Sequence, residues 1–214
     1  LDDEDHQLWV TLHHIIADGW SMNILIDEFS RLYAAHCQGQ QADLPVLNLG
    51  YADYGTWQRQ WLAEGEAARQ LDYWKAQLGD DQPVLDLATD HPRSNLRNQL
   101  AARLTLRVPA VLTDALRSTA QQHGSTLFML LLASFQTLLH RYTGQSDIRV
   151  GVPNANRPRL DTQRMVGFFI NTQVLRAELN SRQSFADLLA QVRQTTLQAQ
   201  VHQDLPFEQL LAAL

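Results

Sequence analysis

Cysteine is almost missing: Cys37 stands alone among 214 residues. One thiol cannot close a disulfide within the chain, and it excludes both a cysteine cage for a metal and a CxxC redox pair. A basic excess is missing too. Seventeen Lys plus Arg against 23 Asp plus Glu leave a net charge of −6, with no dense basic stripe, so nucleic acid is not an expected partner. Long apolar runs are also lacking. The most apolar stretch, Leu127 to Leu139, is interrupted by Ser134, Gln136 and Thr137. It falls short of the ~20 residues that span a bilayer, so no membrane segment is expected. No charged stretch followed by an apolar one opens the chain, so no signal peptide is read, and the expected compartment is the cytoplasm. What remains is ordinary globular composition, 45% apolar and 19% charged. The length suits one large domain or two small ones. The first residue is Leu1 rather than Met, and the expectation is a piece of a longer polypeptide.

Periodicity organises the chain. Gln7 to His14 alternates, with Leu8, Val10 and Leu12 on one side, and predicts a half-buried strand. After the Asp18-Gly19 turn signal, Met22, Leu25, Ile26, Phe29, Leu32 and Tyr33 recur at helical spacing, with Ser21 as the expected N-cap. Tyr51, Tyr54, Trp57 and Trp61 mark a second helix face and Leu71, Trp74 and Leu78 a third, which places these aromatics in a core. Gly79 to Asn98 has weak periodicity and is the best linker. Beyond it come a strand over Ala102 to Val108, a helix from Pro109, and an apolar helix from Leu127 to Tyr142 capped by Ser125-Thr126. Strands follow around Ile148 to Val152 and Phe168 to Arg176. Ser184 with Asp187 predicts a capping box, and Asp204-Leu205-Pro206 opens the last helix. Mixed strands and helices predict an α/β or α+β two-layer fold.

The chemistry-bearing feature is His13, His14, Asp18 and Gly19 at a strand end and turn. Histidine exchanges a proton near neutrality, and at a strand mouth it is aimed as a general base must be. Asp18 could buttress the turn by pairing with an arginine, and Gly19 permits a backbone conformation closed to other residues and lets a ligand approach the main chain. Taken alone, the histidine pair is as ordinary as any strand pair and Asp-Gly as any turn. A metal site is set aside, because adjacent strand side chains diverge and no HExxH spacing is present.

A string of further motifs changes that balance. His13 to Ser21 resembles the HHxxxDGxS signature of nonribosomal peptide synthetase condensation domains. Tyr51 to Arg59 is similar to the family's YxDYAxWQR stretch, Asp72 to Leu78 to the helix that follows, and Thr89 to Arg93 to its lobe linker. Val150 to Arg157, Val166 to Thr172 and His202 to Glu208 resemble its later motifs, in order. HxxxDG by itself is shared with other acyltransferases; the ordered set is specific.

The resemblance implies a chloramphenicol-acetyltransferase-like fold of two lobes, here partial, with residues 1–92 closing the first lobe and 93–214 opening the second. It implies amide formation between a carrier-bound acyl or peptidyl thioester donor and an aminoacyl thioester acceptor. His14, Asp18 and Gly19 form the catalytic loop, supported by His13 and Arg157. His14 serves as base or positioner, Gly19 N–H faces the oxyanion, and Asp18 is structural, with Arg157 as the in-chain candidate for its ion-pair partner. Trp20 and Ser21 line a tunnel or cap the helix, and Asn171 binds a substrate amide or a neighbouring backbone. No cofactor or metal is expected to bind directly; phosphopantetheine arms come from upstream and downstream peptidyl carrier domains, beside an adenylation domain. Intact histidines argue against cyclisation. The alternatives are a coenzyme A-dependent acyltransferase of the same fold and an inactive carrier-docking fragment.

Overall fold

The computed structural model describes residues 5–90 and 102–214. Its first helix, α1 (Gly19–Cys37), starts where a carboxylate can take the free N–H groups of the opening turn. Asp18 is the N-cap and accepts from the Ser21 N–H, so Ser21 is not the cap but the third helical residue. A carboxylate serves that position better, since it also meets the positive end of the helix dipole. Next come α2 (Tyr51–Trp61) and α3 (Ala67–Leu78), joined through a wide turn at Leu62–Glu66. Gly65 sits there at φ 113°, a conformation that a side chain would strain.

α4 (Ala110–Gln122) precedes α5 (Leu127–Thr143), which Thr126 caps by accepting from the Met129 N–H. The expected capping box of Ser184 and Asp187 opens α6 (Phe185–Val201), and α7 (Phe207–Ala213) begins just after Pro206.

Among the described residues the sheet has two strands, β1 (Asp147–Asn154) and β2 (Asn171–Glu178). They run antiparallel, because Leu179 just past β2 donates to the carbonyl of Ser146 just before β1. β2 starts at Asn171 rather than Phe168 because the backbone of 167–169 is bonded to side chains instead of to a neighbouring strand. Two expected strands, Gln7 to His14 and Ala102 to Val108, are not in a ladder. Trp9 is 86% exposed and Leu104 84%. Alternation supplies one face of a strand, but pairing needs a partner edge, and no described segment provides it.

The described residues fall into two compact units. One comprises the chain up to Leu71 with Pro153–Thr172 and Asp204–Phe207. Ala17, Ile24, Leu62, Met165, Phe169 and Leu205 are buried in it. The other comprises Asp72–Val152, Gln173–Gln203 and Glu208–Leu214. α5 runs through its core, burying Met129, Leu130, Leu132, Ala133 and Leu139, as the apolar run predicts. Trp74 is buried with them, but Tyr51 and Trp57 of the first unit are more than one-third exposed, so the aromatic face of α2 is not a sealed core. The expected lobe boundary at 92/93, with His91, Pro92 and Arg93 of the linker motif, lies outside the described residues. The mixture of helix and sheet agrees with the α/β or α+β class that the sequence predicts.

Candidate functional site

The site grows from the segment between His13 and Ser21. His13 is extended (φ −72°, ψ 133°), and its Nδ1 accepts from the Ile15 N–H at 3.1 Å. That bond caps a single 3-10 turn, His14–Ile16, closed by the Ile16 N–H donating to the His13 carbonyl at 3.1 Å. His14 therefore leaves from a turn, not from a strand end, and its side chain is exposed. Its ring stands perpendicular to that of Phe168, with centroids 5.2 Å apart.

Asp18 behaves oppositely. It is 2% exposed and spent on structure. Its Oδ1 accepts from the Ser21 N–H and hydroxyl, both at 2.8 Å, and its Oδ2 from the Phe169 N–H at 3.1 Å. Arg157 Nη2 reaches both carboxylate oxygens at 3.1 and 3.2 Å, from 139 residues away. Burial pushes the Asp18 pKa up, but the Ser21 and Phe169 hydrogen bonds and the guanidinium outweigh it and hold the carboxyl below its ordinary value. Arg157 is thus the partner of Asp18.

Arg157 is a hub. Its Nη1 donates to the carbonyls of Thr162 and Met165, its Nη2 also meets Ser21 Oγ at 3.0 Å, and its Cζ lies 3.9 Å from the centre of the Phe169 ring. Such a planar fork serves several acceptors at once where an ammonium would not. Ser21 Oγ accepts from the Gly167 N–H at 3.0 Å, and its one proton is shared between Asp18 Oδ1 and the Gly167 carbonyl. Ser21 does more than cap: it ties α1 to the 167–169 segment.

Trp20 Nε1 donates to the Gln163 carbonyl at 2.8 Å, and Trp20 borders a groove of about 310 Å³ with Asn23, Ile24, Asp27, Gln163 and Arg164. Gly19 is the first helical residue of α1 with no positive φ, and a Cβ there would meet open space. Its glycine is not required by strain, so the reading of a special backbone conformation is corrected; the free space beside its main chain remains.

Asn171 does not present its amide to open space. Nδ2 donates to the Leu205 carbonyl at 2.7 Å and Oδ1 accepts from the Phe207 N–H at 3.0 Å, which selects the backbone alternative over the substrate one. The fully buried Gln70 holds the same turn, its Oε1 accepting from the Asp204 and Leu205 N–H groups. Burial first, and then the neighbouring Glu66, push the Asp204 pKa up despite the hydrogen bond from Gln70 and the nearby Arg69. His202, in the other unit, is the C-cap of α6 and stacks on Tyr73 with ring centroids 3.8 Å apart.

Tyr51 was not foreseen as part of the site. Its hydroxyl donates to the Phe168 carbonyl at 2.7 Å, and its ring lies so close to Gly167 that a Cβ would collide with it. Phe168 was not foreseen either. The signal was available in the YxDY and GFFINT stretches, but helical spacing assigns the first to a core and the second reads as the start of a strand. Among the described residues no group of three or more His, Cys, Asp or Glu is arranged to hold a metal, and no helix is long and apolar enough to cross a membrane.

Comparison with known proteins points one way. The profile of the condensation domain matches residues 1–214. The chain is 48% identical over 211 residues to one of the linear gramicidin synthase proteins of Brevibacillus parabrevis, covering 99% of this chain and 3% of that protein. It is 43% identical over 211 residues to phosphinothricin tripeptide synthetase PhsC of Streptomyces viridochromogenes, covering 99% of this chain and 19% of that one. The condensation domain of the monacolin K polyketide synthase MokA superposes with a TM-score of 0.75 at 25% identity, over 94% of this chain and 46% of that structure. The chain thus spans a small part of the curated relatives and under half of a solved domain.

Proposed function

This chain belongs to the condensation-domain family, and on that premise we propose that it contributes the histidine loop of an amide-forming site. The nitrogen of an aminoacyl thioester attacks the carbonyl of a donor acyl thioester. A C–N bond forms, the C–S bond breaks, and the donor arm leaves as a thiol that takes up a proton lost by the nitrogen. Amines attack thioesters without help, so holding the two ends in contact supplies much of the acceleration. Both ends are substrates borne on phosphopantetheine arms of peptidyl carrier domains, with an adenylation domain alongside. The cytoplasm is the implied compartment, because adenylation draws on ATP there.

The observation that carries this reading is the contrast within one loop. Asp18 is buried and engaged by Arg157, Ser21 and Phe169, while His14, four residues earlier, is exposed. A rigid base presenting one imidazole suits a group that must meet a proton within hydrogen-bond reach. In this reading His14 accepts a hydrogen bond from the attacking nitrogen. In the same reading the developing oxyanion meets the N–H of Gly19, the first residue of α1, an interaction worth several kcal/mol when pre-arranged.

The test uses a complete condensation domain containing this segment, with loaded donor and acceptor carriers. His14→Ala is expected to cut dipeptide formation about 100-fold or more, read by mass spectrometry of the acceptor carrier, with an unchanged unfolding midpoint. Undiminished turnover removes His14 from the reaction. Equal turnover of a free coenzyme A thioester without carriers points instead to a small-molecule acyltransferase.

A further inference from the structure

Gly167, Phe168 and Phe169 are held from several sides. Gly167 bonds Ser21 Oγ through both its N–H and its carbonyl, Phe168 accepts from the Tyr51 hydroxyl, and Phe169 donates to Asp18. The Phe169 ring is buried against Arg157 and lies 4.9 Å from the Tyr54 ring. The Phe168 ring remains 40% exposed and stands perpendicular to the imidazole of His14. An over-determined backbone thus presents a single aromatic ring to the exposed histidine.

We propose that Phe168 is a positioning residue for the His14 imidazole, with Tyr51 fixing the peptide that carries it; this rests on the amide-forming reading above. An exposed histidine ring turns freely about its side-chain bonds and spends little time in any one orientation. A perpendicular aromatic contact favours one orientation because the positive edge of one ring meets the negative face of the other. Contacts of that type shift an orientational equilibrium about two- to tenfold, and the reaction rate follows if the favoured orientation is the productive one. Phe168 acts through His14 and does not itself exchange a proton.

The experiment uses the complete condensation domain with carrier-bound substrates and histidine-selective isotope labelling. Phe168→Leu keeps the apolar bulk but removes the ring. It is expected to lower kcat about two- to tenfold, with KM for the acceptor carrier unchanged, and to abolish the ring-current shift of the His14 ring protons. Phe168→Tyr retains the ring and is expected to restore both. Tyr51→Phe, which deletes the bond to the Phe168 carbonyl, is expected to move the same His14 resonances part of the way. In a His14→Ala background, Phe168→Leu is expected to add no further loss. Unmoved His14 resonances in Phe168→Leu, or an equal loss from that substitution with and without His14, overturn the proposal. Turnover unaffected by His14→Ala instead removes His14 from the reaction, and with it the premise of this proposal, whatever the resonances do.

Discussion

Two aspartates, one in each compact unit, are bound by arginine in contrasting ways. In the first unit the side chains of Asp18 and Arg157 are 0% and 1% exposed. In the second, Asp147 joins Arg149 at 2.8 Å and Arg176 at 3.0 Å, at the rim of the sheet, where the carboxylate side chain is 23% exposed. Both carboxyls sit below their ordinary pKa. In each, burial works against that shift and is outweighed, by Ser21, Phe169 and Arg157 in the first and by the two arginines in the second. The second cluster is redundant. Arg149 also reaches the Leu78 and Asp81 carbonyls and Arg176 the Gln77 carbonyl, so together they tie down the end of α3. The first has one guanidinium, no access to water, and an exposed histidine four residues away. Similar charge pairs thus do different jobs: one braces a surface, the other freezes a loop.

Asp18→Asn is the substitution that should break the comparison most severely. Asparagine caps a helix nearly as well as aspartate, so the cap survives. The change removes the charge opposite a buried guanidinium and replaces one of the two oxygens that accept from Ser21, Phe169 and Arg157 with a donor. It should cost about 3–5 kcal/mol of stability in urea unfolding of the complete domain, along with its turnover. A rate loss without destabilisation would contradict the structural role of Asp18. Asp147→Asn should cost only about 1 kcal/mol in the same measurement, because both arginines keep carbonyl partners and solvent. Equal losses would erase the distinction between the two sites.

Acid sharpens it. A carboxyl whose folded pKa is lowered stabilises the fold above its unfolded value of ~3.9, and that contribution is lost as pH falls through the lower folded value. Both Asp18 and Asp147 contribute in this sense. Asp204, held above its ordinary value by burial and Glu66, contributes with the opposite sign: its penalty is present at neutral pH and relieved as pH falls through its raised value towards ~3.9. Asp204→Asn retains an oxygen to accept from Gln70. It should raise stability at neutral pH by about 0.5 kcal/mol or less and flatten the profile above pH ~4. A loss at neutral pH would show that the charge is needed.

Local chemistry was easy to read. The apolar period of α5, the Thr126 cap and the Ser184–Asp187 box follow from residues within one or two turns of each other. The assignment of the cap of α1 to Ser21 went astray because serine and aspartate compete for that place, and the choice was made by Arg157 and Phe169 from far along the chain. Gln70 and Tyr51 carried no periodic signal that separates a buried amide clamp or a backbone-fixing hydroxyl from ordinary helix residues. The alternating stretches at 7–14 and 102–108 show the same limit, since a strand exists only once an edge pairs with it.

The amino-acid order alone determined which segments coil, and that an imidazole stands four residues ahead of a carboxylate at the start of an amphipathic helix. Each of these is settled by bonds that span a handful of residues. Tertiary structure alone decided that Arg157 neutralises Asp18, that Ser21 and Tyr51 grip the backbone of residues 167–168, and that Asn171 serves a turn instead of a ligand. Those contacts join groups more than thirty and as many as 146 residues apart, and such groups become neighbours only when burial has already folded the chain around them.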